Sequence, residues 1–568
     1  MIEQASLVLG NGNWAVKSDS LLGYKTIDGE YYPREFTFTR ATTGTRVNEA
    51  GLVELVPYNL LRYSEEFDNA VWSKTSVTVT VNATTSPSGV LTADKLIPSG
   101  LDSYVRYMSF NGTAGSVYTF SFYAKADVIT NIRIRQFNAT ELNGTVEYIT
   151  INNQWQRFTV TSTCAVNQQV QLWIGGSSTW STGEDIYVWG AQLVEGTEPL
   201  DYLPTTDRLD IARIDYSTGE PALLLEPQRT NLLTYSSSFD NGDWTKTGVT
   251  ISSNATTSPD GTTSADKIIA NASGGDKFAF QLRTITLSQA FTISAFFKKS
   301  EYKLAFVRAG GQTGSPYVIY NLDTEAVVST FGASSTKIED YGNGWYRILF
   351  TLNSATSTVC APNVSFIPDS GYTLSGVNIP QYTGDGTSGG FVWGCQLEAN
   401  GGSYSTSYIP TTSASVTRNQ DVCVKTGASA LIGQTEGTIY MEIMNDGNDS
   451  VKVPIRISNS LGQTEFDIGF NQLYQFRFDL YNAGVFVANI MGTPAAPLGL
   501  NKLAIAYQSG NYALSLNGSL LTNNNISKTY TSLLDRLTIG LAGNNFINQA
   551  TLFKTRLSNS ELQQLTTL

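Results

Sequence analysis

The sequence contains no histidine among its 568 residues. That absence excludes the Ser-His and Cys-His pairs of nucleophilic catalysis and the usual general base near neutral pH. It also excludes histidine-based zinc sites, and the four cysteines lack the spacing of an all-thiolate site. Because the cysteines, at positions 164, 360, 395 and 423, are widely scattered, we expect small buried side chains rather than a disulfide framework.

Charge is scarce as well, at 15% of the residues, and the formal net charge is −12. No run of Lys and Arg appears, which disfavours a nucleic-acid partner, because such binding depends on a basic surface. No apolar run approaches the roughly 18 residues of a transmembrane helix. The start MIEQASLVLGNGNW lacks the basic region and apolar core of a secretory signal. We therefore expect neither membrane insertion nor secretion through a signal peptide.

What the sequence does contain is a duplication of a module of about 170 residues. The phrase NLLRYSEEFDNAVWSKT from Asn59 returns as NLLTYSSSFDNGDWTKT from Asn231. Four pairs share the offset of 172: Asn59 with Asn231, Trp72 with Trp244, Pro87 with Pro259, and Asp94 with Asp266. The copies close on YVWGAQL and FVWGCQL, where the offset has grown to 204, so the second copy is about thirty residues longer. Two long copies indicate a tandem domain duplication rather than a solenoid.

Each copy predicts an antiparallel β-sandwich of the jelly-roll type. Short runs rich in Thr, Tyr, Val and Phe recur between Gly, Ser and Asn turns, without the alternation of strands and helices typical of α/β folds. The predicted organisation is an N-terminal attachment or oligomerisation segment, two jelly-roll modules, a hairpin connector between them and a C-terminal domain. The boundaries are 1–57 for the segment, 58–206 for module 1, 207–229 for the connector, 230–412 for module 2 and 413–568 for the C-terminal domain.

The C-terminal domain is predicted to be a further sandwich that ends in one short helix. Asn517 and Gly518 form the kind of dipeptide that makes a two-residue hairpin turn. Ser558 and Glu561 have the spacing of a capping box, with Leu557 and Leu562 at the positions of a hydrophobic staple.

Several phrases resemble known families. LAIAYQSGNYALSLNGSLL and ATLFKTRLSNSELQQL resemble the concanavalin/laminin-G type of sandwich. The repeated phrases resemble the carbohydrate-binding type of jelly roll found in tandem in virion proteins of tailed bacteriophages. FTFTRATTGTRVNEAGLVE resembles a phrase near the start of phage fibre, spike and head-decoration proteins. The resemblance implies a head or tail fibre or spike subunit, commonly a homotrimer, exposed on the virion surface and joined to other virion proteins through its N-terminal segment.

Two glycine- and acid-rich motifs have ordinary turn interpretations. GDGTSGG at residues 384–390 matches both GxGxxG and GxSxG, but it leads into a strand, whereas both motifs require a following helix. NDGND at residues 445–449 could offer oxygen ligands to calcium, although an Asp-Gly hairpin turn is favoured. The Asp-Lys phrase shared by both copies, at Asp94 and Asp266, suggests a strand-edge ion pair or a turn ligand. We predict no catalytic residue, no metal site and no cofactor.

Glycan binding requires exposed aromatic rings beside hydrogen-bonding groups. The tryptophans shared by the copies, among them Trp72 and Trp244, are interpreted as core anchors. The candidates for carbohydrate contact are therefore aromatics that differ between the copies and lie in polar loops. These are Trp180, within GGSSTWSTGED, and Tyr382, within PQYTGDG.

Three functions are compatible with these features. We favour a non-enzymatic structural protein of a phage virion that displays glycan-binding-type sandwiches for attachment to the host surface. The alternatives are an extracellular glycan-binding adhesin, and a polysaccharide depolymerase that uses paired carboxylates alone.

Overall fold

The computed structural model describes residues 4–12, 14–17, 20–27, 30–56, 59–138, 140–176, 180–200, 202–206, 209–399, 404–447, 451–471, 473–493, 495–528 and 532–567. Of these, residues 15–17, 20–27, 30–35, 140–143 and 522–524 are described by their backbone alone. The chain is all-β, as predicted, with antiparallel sheets throughout the described residues and one short helix. None of the described helical structure is long and apolar enough to cross a membrane.

The strands up to the end of the connector fall into three groups. Before module 1 lie β1 (Leu7–Gly10), β2 (Ala15–Lys17), β3 (Ser20–Ile27), β4 (Glu30–Thr39), β5 (Thr45–Val47) and β6 (Val53–Leu55). Module 1 contains β7 (Trp72–Thr75), β8 (Val77–Thr84), β9 (Ala93–Pro98), β10 (Tyr104–Asn111), β11 (Val117–Lys125), β12 (Thr130–Asn138), β13 (Thr140–Ile151), β14 (Gln156–Thr163), β15 (Gln169–Gly175) and β16 (Ile186–Glu195). Then come β17 (Arg213–Asp215), β18 (Ala222–Leu225) and β19 (Arg229–Asn231).

The remaining elements belong to module 2 and the C-terminal domain. Module 2 contains β20 (Thr245–Thr247), β21 (Val249–Thr256), β22 (Ala265–Ala270), β23 (Phe278–Phe280), β24 (Arg283–Thr284), β25 (Phe291–Lys299), β26 (Leu304–Gly310), β27 (Tyr317–Asn321), β28 (Ala326–Phe331), β29 (Ser335–Asp340), β30 (Trp345–Leu352), β31 (Val359–Ile367), β32 (Thr373–Leu374), β33 (Pro380–Gln381) and β34 (Gly389–Ala399). The C-terminal domain contains β35 (Val416–Arg418), β36 (Val422–Lys425), β37 (Glu436–Asn445), β38 (Lys452–Asn459), β39 (Thr464–Phe470), β40 (Phe476–Asn482), β41 (Val485–Met491), β42 (Gly499–Gln508), β43 (Tyr512–Leu516), β44 (Ser519–Asn524), β45 (Leu534–Ala542), β46 (Asn545–Phe553) and α1 (Asn559–Leu565).

The duplication read from the sequence is a duplication of topology. In module 1 the two sheets have the orders β13-β12-β15-β10-β7 and β14-β11-β16-β9-β8. In module 2 the same positions are taken by β27-β26-β31-β23-β20 and β30-β25-β34-β22-β21, with β28 and β29 added at the edges. Each pair of sheets encloses its own apolar core, because alternate side chains of every strand point inward. We call the first sheet of each module its front sheet.

The C-terminal domain is a sandwich that includes strands from distant parts of the chain. One sheet runs β4-β36-β45-β38-β39-β40-β41, and the other runs β46-β37-β42-β43-β44. Strand β1 pairs with β46, with Leu7 opposite Leu552. Strand β18 pairs with the other end of β46, with Leu223 opposite Ile547.

These pairings show where the N-terminal segment and the connector pack in the fold. The N-terminal segment is not an independent piece, because β1 and β4 complete the C-terminal sandwich. The connector is a β17–β18 hairpin, as predicted, but it too belongs to that sandwich. Accordingly, the described parts of residues 4–15, 20–55 and 212–567 form one compact unit, and the described parts of 56–211 form the main body of the other. Local sequence patterns show where a strand runs, but its partner strand can lie hundreds of residues away.

A buried ionic cluster holds three of these distant segments together. Arg213 of β17 contacts Glu226 at 2.7 Å and also pairs with Asp421, which lies beside β36. Asp421 receives a second arginine, Arg40, at 2.8 Å, and Glu226 receives Arg418 at 2.5 Å. All five side chains are at most 1% exposed. Charges this deeply buried require partners, so the cluster fixes the N-terminal segment, the connector and residues 418–421 to one another.

The local predictions for the C-terminal domain and the cysteines are confirmed. Asn517 and Gly518 have φ angles of 46° and 79°, as a type I′ hairpin turn between β43 and β44 requires. Ser558 caps α1 with a reciprocal capping box through Glu561. The cysteines, at positions 164, 360, 395 and 423, are all buried thiols without a disulfide.

Candidate functional site

Two of the tryptophans that recur in both modules, Trp72 and Trp244, are core anchors. The indole of Trp72 donates to the Tyr63 carbonyl at 2.9 Å, and that of Trp244 donates to the Tyr235 carbonyl at the same distance. Both tyrosines adopt the left-handed region, with φ of 53° and 45°, so an unusual backbone turn is held by the same bond in each copy. Neither tryptophan is more than 1% exposed. They therefore belong to the framework, as predicted.

The aspartates of the shared Asp-Lys phrase are turn ligands. Asp94 accepts the backbone N–H groups of Phe67 and Asn82, both at 2.9 Å. Asp266 accepts those of Phe239 and Asn254 at 2.7 and 3.0 Å. Burial raises the pKa of both carboxyls, that of Asp94 to about 6. Both carboxylates bind backbone N–H groups and so fix the local path of the chain. Neither is therefore positioned as the acid or base of a hydrolase.

Trp180 and Tyr382, the aromatics predicted to contact carbohydrate, lie inside their modules. Trp180 is fully buried in the core of module 1 and donates to the Glu184 carbonyl at 2.6 Å. Its ring packs on Gly175, where a Cβ would lie 2.5 Å from the indole. Tyr382 is 6% exposed and donates to the Phe366 carbonyl at 2.7 Å. A sugar stacks on an exposed ring face, so this placement corrects the choice of both residues as stacking platforms.

The two glycine- and acid-rich motifs are turns where the structure describes them. Asp385 accepts the N–H groups of Thr387 and Ser388 and the Ser388 hydroxyl, and the loop continues into β34. Asp446 of the NDGND motif, for which the sequence favours a hairpin turn over a calcium site, pairs with Lys452 at 2.5 Å, while residues 448 and 449 of the motif lie outside the described residues. In the part of the chain that the structure describes, no group of three or more His, Cys, Asp or Glu side chains could hold a metal ion.

The outer face of the front sheet of module 1 carries a row of aromatic and arginine side chains. Ile132 and Ile134 of β12 point into the core, so Arg133, between them, and Arg135, directly after them, point outward. Arg135 lies directly opposite Trp173 of β15. On the other side of Trp173, β10 places Arg106 opposite it. The sheet thus aligns Arg106, Trp173 and Arg135 across three neighbouring strands.

Trp173 organises this row through its ring. The guanidinium carbons of Arg135 and Arg106 lie 3.9 and 4.9 Å from the ring centroid. Tyr104, two residues before Arg106, packs on the same indole with centroids 4.3 Å apart. Such cation–π contacts hold a guanidinium flat against a ring without using its N–H donors. Trp173 itself is only 8% exposed, because its neighbours cover it.

The open part of this face lies beside Arg133. Tyr148 of β13 is opposite Arg133 and is 70% exposed. Among the described residues, Arg133 has no hydrogen-bond or ion-pair partner, and its Nε is buried. The exposed phenol ring of Tyr148 therefore lies next to the guanidinium of Arg133, whose Nε has no hydrogen-bond partner. We call the set Tyr104, Arg106, Arg133, Arg135, Tyr148 and Trp173 the arginine–aromatic face.

Module 2 has the corresponding face, but it is covered. Arg308 of β26 takes the position of Arg135, at an offset of 173, and lies opposite Asn363 where module 1 has Trp173. Its Nε donates to the Val377 carbonyl at 2.9 Å, and its other donors reach Asn363 and Ser315. Val377 belongs to residues 368–388, the longer loop of the second copy. Tyr372, Leu374 and Tyr382 of that loop pack on outward-facing side chains of β26 and β27.

The compact unit formed by the described parts of residues 4–15, 20–55 and 212–567 contains a cavity of about 540 Å³. Its wall includes Asp215, Glu339 and Arg347. Asp215 accepts the Val47 N–H at 2.7 Å, and Glu339 pairs with Lys337 at 2.9 Å. Because these carboxylates already have partners, the arginine–aromatic face is the better candidate site.

The sequence contained a signal for this face that the loop-based choice of candidates missed. In NIRIRQF, arginine alternates with isoleucine at the period of a strand, which places two cations on one face. The neighbouring strand QVQLWIG places its tryptophan on an alternating position in the same way. What the pattern leaves open is whether another element covers that face.

Comparisons with known proteins gave no match to a protein-family model and no match among curated proteins. Solved structures did match, among them a tandem pair of carbohydrate-binding modules from Paenibacillus barcinonensis Xyn10C, at 11% identity and a TM-score of 0.20, covering 60% of this chain and 97% of that one. The enzymatically active domain of tailspike protein 4 of bacteriophage CBA120 matches at 15% identity and a TM-score of 0.19, over 24% of this chain and 22% of that one. The LG1–3 region of the laminin alpha2 chain matches at 9% identity and a TM-score of 0.18, over 81% and 96%.

Proposed function

We propose that this chain is a non-enzymatic structural subunit of a phage head or tail fibre or spike, exposed on the virion surface, that binds host-surface glycans through the arginine–aromatic face of module 1. The observation that carries the glycan-binding part is the contrast between the modules. The same front-sheet face is covered by residues 368–388 in module 2 and is open beside Tyr148 and Arg133 in module 1.

The chemistry of the open face suits a saccharide. The C–H faces of a sugar ring pack on aromatic rings, and its hydroxyls accept hydrogen bonds from fixed donors. Tyr148 offers the ring, and Arg133 offers donors that no described residue uses. A single site of this size binds weakly, so display of several copies on an oligomer would raise the avidity. The proposal includes a homotrimer and attachment to other virion proteins because several phrases of the sequence resemble those of phage fibre and spike proteins.

The absence of histidine supports a binding role over a catalytic one. Paired carboxylates alone could still hydrolyse a glycan. We expect no reducing ends to be released when the protein is incubated with purified host capsular polysaccharide, as measured by a reducing-sugar assay. Release that grows with time and enzyme concentration would replace the proposal with the depolymerase.

Replacing Tyr148 with alanine is expected to weaken glycan binding about three- to tenfold, because the exposed stacking surface is lost. Affinity electrophoresis of the full chain against a panel of soluble neutral and acidic polysaccharides measures this. Phe486→Ala is the matched control, since Phe486 is also an exposed strand aromatic, at 56%, but lies in the C-terminal sandwich. Equal weakening by both variants, or by neither, would show that the face of module 1 is not the binding surface.

The virion assignment has its own test. We expect mass spectrometry of purified particles to detect the chain at a stoichiometry that is a multiple of the oligomer found by light scattering of the isolated protein. A stable monomer that is absent from particles would favour the adhesin.

A further inference from the structure

Of the three arginines of the arginine–aromatic face, two lack a carboxylate partner among the described residues. Among the described residues, neither Arg106 nor Arg133 has a carboxylate partner, and the one hydrogen bond of Arg106 is a long contact of 3.4 Å to the Ser73 hydroxyl. This is unusual in a chain with a net charge of −12, where acidic side chains outnumber basic ones. Two guanidiniums without a counter-charge, on one sheet face, favour an anionic ligand.

Other arginines of the protein bind carboxylates or carbonyl and amide oxygens through their guanidinium groups. In the buried cluster, Arg213 and Arg418 bind the Glu226 carboxylate at 2.7 and 2.5 Å. In module 2, Arg308 donates to Val377, Asn363 and Ser315. Arg133 has none of these contacts: its Nε is buried, and its two terminal nitrogens have no partner among the described residues.

The arrangement also holds the donors in a defined geometry. The guanidinium of Arg106 lies 4.9 Å from the ring centroid of Trp173. It also lies 5.8 Å from the ring centroid of Tyr104. A guanidinium packed on a ring keeps its in-plane N–H groups free to bind a carboxylate in a bidentate manner. A pre-organised fork loses less conformational entropy on binding than a mobile lysine would.

We infer that the ligand of this face is an acidic saccharide, one whose sugar rings carry carboxylates, with Arg133 and Arg106 as the carboxylate-binding residues and Tyr148 as the ring platform. This inference rests on the proposed glycan-binding function and narrows its ligand class. A saccharide is favoured over an acidic peptide because an exposed aromatic ring stands directly opposite Arg133.

The test compares chemically matched ligands on the full chain. Polygalacturonate is the acidic probe, its carboxyl-reduced form is the neutral probe with the same backbone, and polyglutamate supplies carboxylates without sugar rings. We expect binding to polygalacturonate only, weakened as salt is raised. Arg133→Gln should weaken that binding about tenfold or more, since charge-assisted hydrogen bonds are among the strongest polar contacts. Because Arg133 has no partner within the described protein, the variant should melt like the wild type.

Arg536→Gln is the matched control, because Arg536 is an exposed arginine of β45 in the C-terminal sandwich. Equal binding of the reduced polymer would overturn the acidic ligand class while leaving glycan binding intact. Equal binding of polyglutamate would show that the face binds carboxylates whether or not a sugar ring is present. If Arg133→Gln bound polygalacturonate as the wild type does while Arg536→Gln bound it more weakly, the binding site would not be the arginine–aromatic face. Absence of binding to any saccharide would overturn the proposed function itself.

Discussion

Replacing Glu226 with glutamine is expected to lower the free energy of unfolding of the compact unit that contains residues 212–567 by about 3–5 kcal/mol. Glu226 and Asp421 are the two carboxylates that face Arg40, Arg213 and Arg418 in the buried cluster. Glutamine keeps the shape of the side chain but removes its charge, so one carboxylate is left for three buried guanidiniums. The cost of an uncompensated buried charge exceeds that of most single substitutions.

Hydrogen exchange followed by mass spectrometry would measure this locally. We expect faster exchange in β4, in the β17–β18 hairpin and in β36, since the cluster joins these segments. Glu220→Gln is the control, because Glu220 lies exposed in the turn of the same hairpin and should change stability by less than about 0.5 kcal/mol. The double variant with Arg418→Gln should lose less than the sum of its single variants. Wild-type exchange in Glu226→Gln would show that the cluster does not hold these segments.

The same cluster predicts an acid limit to stability. Burial alone would raise the pKa of Glu226, but the charges of Arg418 and Arg213, with hydrogen bonds from Ser407, together lower it to about 2. A carboxyl with a lower pKa in the folded state stabilises the fold above its unfolded value and loses that contribution as the pH falls through the folded value. Stability should therefore decrease between about pH 4.5 and pH 2. Glu226→Gln should flatten that part of the profile.

Replacing Asp94 with alanine is expected to destabilise module 1 by about 2–4 kcal/mol, because one buried and one part-buried backbone N–H group lose their acceptor. The donors are Phe67, which lies before β7, and Asn82, which lies in β8 at a positive φ. Asp94→Asn should cost less, since the remaining amide oxygen can still accept one bond. Module 2 offers an internal replicate in Asp266→Ala, where the same two bonds are made by Phe239 and Asn254. Calorimetry of the full chain should show one transition lowered by each variant, and a different one in each.

The control for this pair is Glu198→Gln, which removes a carboxylate exposed in module 1.

The stability that Asp94 contributes to module 1 depends on pH with the opposite sign to the contribution of Glu226. Burial raises the pKa of Asp94 from 3.8 to about 6, so the protonated form favours folding. That contribution is present below pH 3.8 and is lost as the pH rises through 6. A module 1 transition that shows no such slope, or keeps it in Asp94→Asn, would contradict this assignment.

The sequence alone determined the architecture and its repeated framework. The duplication, the antiparallel strands, the anchoring roles of Trp72 and Trp244 and the capping box of α1 follow from spacing and local pattern. These features are predictable because each depends on side-chain periodicity or on contacts that recur at the same positions in both copies.

Only the tertiary structure decided which surfaces remain open and which distant strands pair. The sequence placed Trp180 and Tyr382 in polar loops, but both loops fold back on their modules and bury the rings. It also separated the N-terminal segment from the C-terminal sandwich, although β1 and β46 are neighbours in one sheet. The alternation of side chains along a strand shows that Arg133 and Arg135 share a face. Whether another segment covers that face depends on residues far away in the chain. Hydrogen bonding between strands is indifferent to their separation in sequence, so the partners of a strand are fixed only when the whole chain has folded.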